Sequence, residues 1–221
     1  MMKRLRLIRI TFRRTLAQVL LPVIMLYGVL PTVAVSTYQA KNAAGSLSVL
    51  IYVAQALIPV CGILWPMAYL HPWVEGDSRE ALKACRGKHR TCLGEVLLLY
   101  FGYILIQVPI FITFFAIYGF FWMEFVRLSV QCLFVIAAFY AFVQLAGSVT
   151  IGSLPVIAYL LLCVCFAGKP ELTGFSILSP YGMADAGGLC SIYLPIAAVS
   201  ILLLLLGAGV ERWVLRLFLR A

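Results

Sequence analysis

Six stretches of the sequence are each apolar over about the length that a helix needs to cross a bilayer. A transmembrane helix uses roughly 20 mostly apolar residues, and hydrophobic residues make up 64% of the 221 residues here, against 11% charged. A water-soluble domain has too little interior to bury that much apolar surface. We therefore predict an all-α, polytopic membrane protein with about six transmembrane helices. The predicted spans are residues 16–35, 47–70, 96–119, 125–145, 153–167 and 192–210.

Basic residues are concentrated before the first span, between the second and third spans, and after the last span. Because lysine and arginine accumulate on the cytoplasmic side of membrane proteins, we expect both termini and this loop to be cytoplasmic, in a bacterial cytoplasmic membrane. The net charge of +9 is therefore assigned to topology and not to nucleic-acid binding. The clustered residues are Lys3, Arg4, Arg6, Arg9, Arg13 and Arg14; Arg79, Lys83, Arg86, Lys88 and Arg90; and Arg212, Arg216 and Arg220.

The whole chain, residues 1–221, is predicted to form one transmembrane domain. Asp77 and Ser78 are suited to cap a short helix over 79–86, because their side chains accept hydrogen bonds from a first helical turn. Proline and glycine residues in the outer loop argue against a continuous helix there, and its apolar residues suggest that it dips into the membrane interface. The segments outside the spans are a basic amphipathic arm (1–15), a cytoplasmic loop (71–95), an outer loop (169–190) and a basic tail (211–221).

The spans hold few side chains that could catalyse a reaction. Both histidines, His71 and His89, fall in the cytoplasmic loop, and no P-loop motif for ATP is present. Cys85, His89 and Cys92 are spaced as one helical face would require, but two close ligand pairs are the usual pattern of a structural zinc site. We therefore predict no metal site, no cofactor bound by this chain and no enzymatic activity of its own.

Four glutamines, Gln55, Gln107, Gln131 and Gln144, lie within the predicted spans. Two interpretations remain open for them, since a buried amide can join two helices by hydrogen bonds or can line the path of a substrate. The spacing of Glu124 and Arg127 allows an ion pair within one helix. Glu95 and Glu124, near span ends, are expected to anchor the chain at the membrane interface.

One segment of the cytoplasmic loop, Pro-Trp-Val-Glu-Gly-Asp-Ser-Arg-Glu-Ala-Leu over residues 72–82, resembles the loop after the second span of type-2 ABC transporter permeases. In that family an acidic residue leaves the span, and a short helix then docks into a groove on a separate ATPase subunit. The basic arm, the six spans and the long outer loop are also similar, and Ser179-Pro180-Tyr181 looks like the family's Ser-Pro turn. The resemblance implies that the residues coupling to the ATPase are Glu75, Asp77, Arg79, Glu80 and Leu82.

The resemblance further implies an ABC exporter that moves an amphipathic or apolar substrate, such as a peptide, lipid or drug. ATP and Mg²⁺ would then bind to a cytosolic P-loop ATPase, and a second permease copy or a similar permease would complete the path through the lipid membrane. The alternative is a non-transporting membrane scaffold or accessory protein that binds a cytosolic partner. An intramembrane enzyme is the third and least favoured hypothesis, because catalytic side chains are so scarce in the spans.

Overall fold

A computed structural model describes residues 8, 12, 15–39, 43–76, 91–119, 122–166, 176–178 and 185–218. Within these ranges the chain forms helices and turns and no strand. Five helices are long and apolar enough to cross a membrane, and one further apolar helix has 17 residues. The prediction of an all-helical polytopic membrane protein is thus confirmed. The helices are α1 (Leu16–Gln39), α2 (Ala43–Val74), α3 (Leu93–Tyr118), α4 (Trp122–Ala146), α5 (Val149–Cys165) and α6 (Leu194–Phe218).

Polar side chains cap the start of α5 and the start of the helical segment that leads into α6. The hydroxyl of Ser148 accepts a hydrogen bond from the Ile151 N–H (3.2 Å) and starts α5. The carboxylate of Asp185 accepts from the Gly188 N–H (2.9 Å), and a π-helical turn over Leu189–Tyr193 then leads into α6. Helical structure therefore begins inside the segment that we predicted as outer loop.

Helix α4 is the centre of the bundle and packs against α2, α3, α5 and α6. Two glycines allow the closest approaches. A Cβ atom on Gly152 of α5 would lie 2.6 Å from the Val143 Cα, and one on Gly207 of α6 would lie 2.8 Å from the Tyr140 ring. Small residues at such crossings let helix backbones approach each other in membrane proteins, so these positions set how α5 and α6 pack on α4.

Several prolines lie inside helices, and three of them, Pro22, Pro31 and Pro109, share one kind of side-chain contact. Each proline lacks an N–H donor and disturbs the hydrogen bonds of the preceding turn, so the carbonyls there need other partners in the membrane. In all three cases the carbonyl three residues before the proline accepts a side-chain hydrogen bond. The bonds run from Trp65 Nε1 to Val19 O (3.0 Å), from Thr32 Oγ1 to Gly28 O (2.6 Å) and from the Tyr27 hydroxyl to Ile106 O (2.8 Å).

A buried polar cluster joins α4 to the outer loop. Arg127 Nη2 lies 2.5 Å from Glu124 Oε2, and both side chains are at most 3% exposed. The Gln131 amide donates to the Ile177 carbonyl (2.6 Å), and the Tyr193 hydroxyl donates to the same oxygen (3.2 Å). The predicted ion pair is therefore present and both of its side chains are buried within the protein. The pairing offsets part of the cost of burying the two charges.

Candidate functional site at the inner helix ends

We call the end of the bundle where α2 finishes at Val74 and α3 begins at Leu93 the inner end, because the predicted cytoplasmic loop lies between these helices. Of the five predicted coupling residues, the structure describes Glu75. The other four, the predicted helix over 79–86 and the potential ligands Cys85 and His89 lie outside the described residues. Those four coupling residues are Asp77, Arg79, Glu80 and Leu82.

The carboxylate of Glu75 connects the end of α2 to the start of α5. Its Oε1 atom accepts a hydrogen bond from the Ser148 hydroxyl and a longer one from the Thr150 N–H (3.3 Å). Its Oε2 atom lies 3.8 Å from His71 Nε2. The first N–H groups of a helix have no partner within the helix, and the helix dipole there is positive. A carboxylate at this point therefore stabilises the start of α5 and fixes it to α2.

The same contacts keep Glu75 ionised. The hydrogen bond from Ser148 is the main cause that lowers the pKa of the Glu75 carboxyl, and burial opposes it. The N–H groups of Thr150 and Val149 and the nearby His71 lower that pKa further. Because about a quarter of the side chain is exposed, solvent and salt weaken this stabilisation without removing it.

Gly76 allows the sharp turn that follows Glu75. The Glu75 and Gly76 N–H groups both donate to the His71 carbonyl, at 2.9 and 3.2 Å. A Cβ atom on Gly76 would lie 2.7 Å from the Pro72 oxygen and 2.9 Å from its Cα. Only glycine fits this backbone without a shift. No local sequence pattern indicates this role for Gly76, because the contact depends on how the chain folds back on the last turn of α2.

A second carboxylate, Glu211 of α6, binds the other end of the cytoplasmic loop. The backbone N–H of Cys92 donates to both of its oxygens, at 3.0 and 2.8 Å, and the Tyr140 hydroxyl donates to Oε2 (2.6 Å). All three side chains are buried. Glu211 was predicted to lie in a surface tail, and no role was predicted for Tyr140. The sequence feature that could have indicated this role is that Glu211 is a single carboxylate in a segment that is otherwise apolar and basic.

The predicted glutamines occupy different environments. Gln55, Gln107 and Gln131 are completely buried, whereas Gln144 is partly buried. Gln131 joins α4 to the outer loop, as a structural interpretation requires. Gln107 is the exception, because neither its amide nitrogen nor its amide oxygen makes a hydrogen bond. In this conformation the three buried glutamines are enclosed by protein.

No protein-family model matches the chain, and no curated protein or solved structure is significantly similar to it. The site must therefore be interpreted from its own geometry. Among the described residues, no group of three or more potential metal ligands is close enough to hold an ion. Both carboxylates of the site bind helix starts, an arrangement that positions helices against one another and does not by itself perform a reaction.

Proposed function

We propose that this chain is the membrane-spanning permease subunit of an ATP-driven ABC exporter in a bacterial cytoplasmic membrane. ATP and Mg²⁺ bind to a separate cytosolic ATPase in this proposal. The observation that carries it is the contact of Glu75 with Ser148 and Thr150. Glu75 lies in the segment that resembles the family's coupling loop, and its contact with α5 supplies a route by which a displaced loop would move the membrane helices.

We divide the predicted coupling residues into two groups. Glu75 already uses Oε1 within the chain, so we assign it to transmission of movement. Docking on the ATPase is assigned to residues after Gly76, where acidic side chains such as Asp77 and Glu80 would meet basic residues of the partner. Charge complementarity of this kind favours fast association and the correct register. Arg79 and Leu82 complete the docking surface.

The proposed transport cycle needs a second permease. A bundle of about six helices whose central polar residues are enclosed offers no complete path by itself. Movement of two such subunits against each other, driven by the ATPase, would open a path between them alternately to each side. The spans are lined by aliphatic and aromatic side chains, which favours an amphipathic or apolar substrate such as a peptide, lipid or drug.

A charge reversal in the cytoplasmic loop tests this assignment. Glu80→Lys should leave the protein in the membrane but uncouple ATP hydrolysis from export, because it repels the basic residues that we expect on the partner. The assay is ATP-dependent movement of a fluorescent amphipathic dye in reconstituted vesicles, with ATP hydrolysis measured in parallel. Glu171→Lys in the outer loop is the matched control. Unchanged dye movement in Glu80→Lys would count against the coupling role.

The second candidate is a membrane scaffold or accessory protein whose loop binds a cytosolic partner without transport. The enclosed state of Gln55, Gln107 and Gln131 is compatible with it, because a scaffold needs no path through the membrane. The two functions differ in their response to ATP. A scaffold would keep the same helix arrangement with and without ATP, whereas an exporter would change it.

A further inference from the structure

The proposed function leaves Glu211 without a role, although its contacts are as specific as those of Glu75. The cytoplasmic loop is held near both of its ends by a carboxylate at a helix start. Near the upstream end, Glu75 binds the start of α5. Near the downstream end, Glu211 binds the Cys92 N–H at the start of α3. Two such contacts on one loop restrict how the loop can move relative to the bundle.

The Glu211 contact is held firmly in place by its surroundings. The Tyr140 side chain that donates to Glu211 is completely buried, and the close approach of Gly207 to its ring leaves it little room. The Cys92 N–H would have no helical partner, because it precedes the first turn of α3. The carboxylate satisfies that donor and lies at the positive end of the α3 dipole. The contact thus joins α3, α4 and α6 at one point.

We propose that Glu211 is a positioning residue that fixes the downstream end of the cytoplasmic loop to α4 and α6. Together with the Glu75 contact at the upstream end, it makes a displacement of the loop move α4, α5 and α6 as a unit. The idea rests on the proposed function only for the source of that displacement, the ATPase. The joint action of the two contacts on the loop depends on this chain alone, so it can be tested without the ATPase.

Cys92 provides a natural reporter, because the residue is only 2% exposed and its own N–H makes the contact. The experiment is labelling of the full-length protein in nanodiscs with N-ethylmaleimide, with the rate at Cys92 read from its peptide by mass spectrometry. Glu211→Gln removes the charge from the contact and should raise that rate roughly tenfold or more, the range expected for losing a buried hydrogen bond to a charged group.

Two further variants complete the design. Tyr140→Phe keeps the carboxylate charge and so leaves the electrostatic surroundings of the Cys92 thiol largely unchanged. It should still raise the labelling rate of Cys92 several-fold, because one hydrogen bond to the charged carboxylate is lost. Asp185→Asn is the matched control, because it makes the same chemical change at a helix cap at the opposite end of the bundle. It should leave the Cys92 rate unchanged.

The joint action of the two contacts is tested by Glu75→Gln, which should raise Cys92 labelling although Glu75 does not touch Cys92. Unchanged labelling in both Glu211→Gln and Tyr140→Phe would overturn the Glu211 contact. A rise in those variants with no change in Glu75→Gln would overturn the joint movement. If Glu211→Gln fails to fold, Tyr140→Phe and Glu75→Gln decide both points. A failure of the proposed function would be seen in a different experiment, in which no ATPase accompanies the purified protein.

Discussion

Replacing Gln107 by leucine should stabilise the protein, which is unusual for a substitution in a packed interior. The Gln107 amide is fully buried in α3 with both polar atoms unpaired. The Tyr103 hydroxyl and the Cys132 thiol lie close enough to interact with the amide, but neither meets it with hydrogen-bond geometry, and the Tyr103 hydroxyl already donates to the Ile58 carbonyl (2.6 Å). A buried amide without partners costs about 1–3 kcal/mol. Leucine has nearly the same volume and carries no such cost.

Gln131→Leu is the matched control for this prediction. Gln131 is also completely buried and its amide oxygen also has no partner, but its amide nitrogen donates to the Ile177 carbonyl (2.6 Å). Its loss should destabilise the protein by about 0.5–1.5 kcal/mol, so the two variants should differ by roughly 2–4 kcal/mol, with opposite signs.

The assay is thermal and denaturant unfolding of both variants in the same detergent. If Gln107→Leu gains stability but loses ATP-dependent dye movement, the unpaired amide is kept for function at a cost in stability. A loss of stability in Gln107→Leu would refute the reasoning, because it would mean that a partner satisfies the amide.

Two further predictions concern the inner helix ends. Because the folded-state pKa of Glu75 is lowered, the stability advantage of the wild type over Glu75→Gln should be present above about pH 4.3. It should disappear as the pH falls through the lowered pKa, which unfolding curves between pH 7 and pH 3 would show; an advantage that persists at low pH would contradict the assignment. Gly152→Ala should cost roughly 2 kcal/mol or more, by the usual penalty for overpacking, because its Cβ would meet the Val143 backbone at 2.6 Å. Gly28→Ala is the control, because a Cβ there would meet nothing within 4 Å; it should be neutral or stabilising by up to about 1 kcal/mol. Equal effects of the two substitutions on the unfolding midpoint would contradict the close approach of Gly152 to the Val143 backbone.

The helices could be predicted from the sequence because each is encoded locally, by an apolar run of sufficient length. The Glu124–Arg127 pair was predictable for the same reason, since its spacing within one helix brings the charges together. Its burial was not, because that depends on the outer loop at Ile177 and on the neighbouring helices. Local sequence patterns therefore predicted the spans and one ion pair, but not which parts of the chain pack around that pair.

The site contacts could not be predicted because they join distant parts of the chain. Ser148 is 73 residues from Glu75, and Glu211 is 119 residues from Cys92. Which helix start a carboxylate reaches depends on how α4 packs against its neighbours, and that packing follows from shape and not from a repeating pattern. The sequence indicated that Glu75 was important, but not that its first partner lies within the same chain.

The central claim is that this chain works with a separate ATPase, and purification from the native membrane tests it most directly. The tagged protein should be extracted in a mild detergent, and the proteins that accompany it identified and quantified by mass spectrometry. The proposal predicts a P-loop ATPase in a stoichiometric ratio. A folded, monodisperse protein that carries no ATPase would contradict the proposal and favour a scaffold.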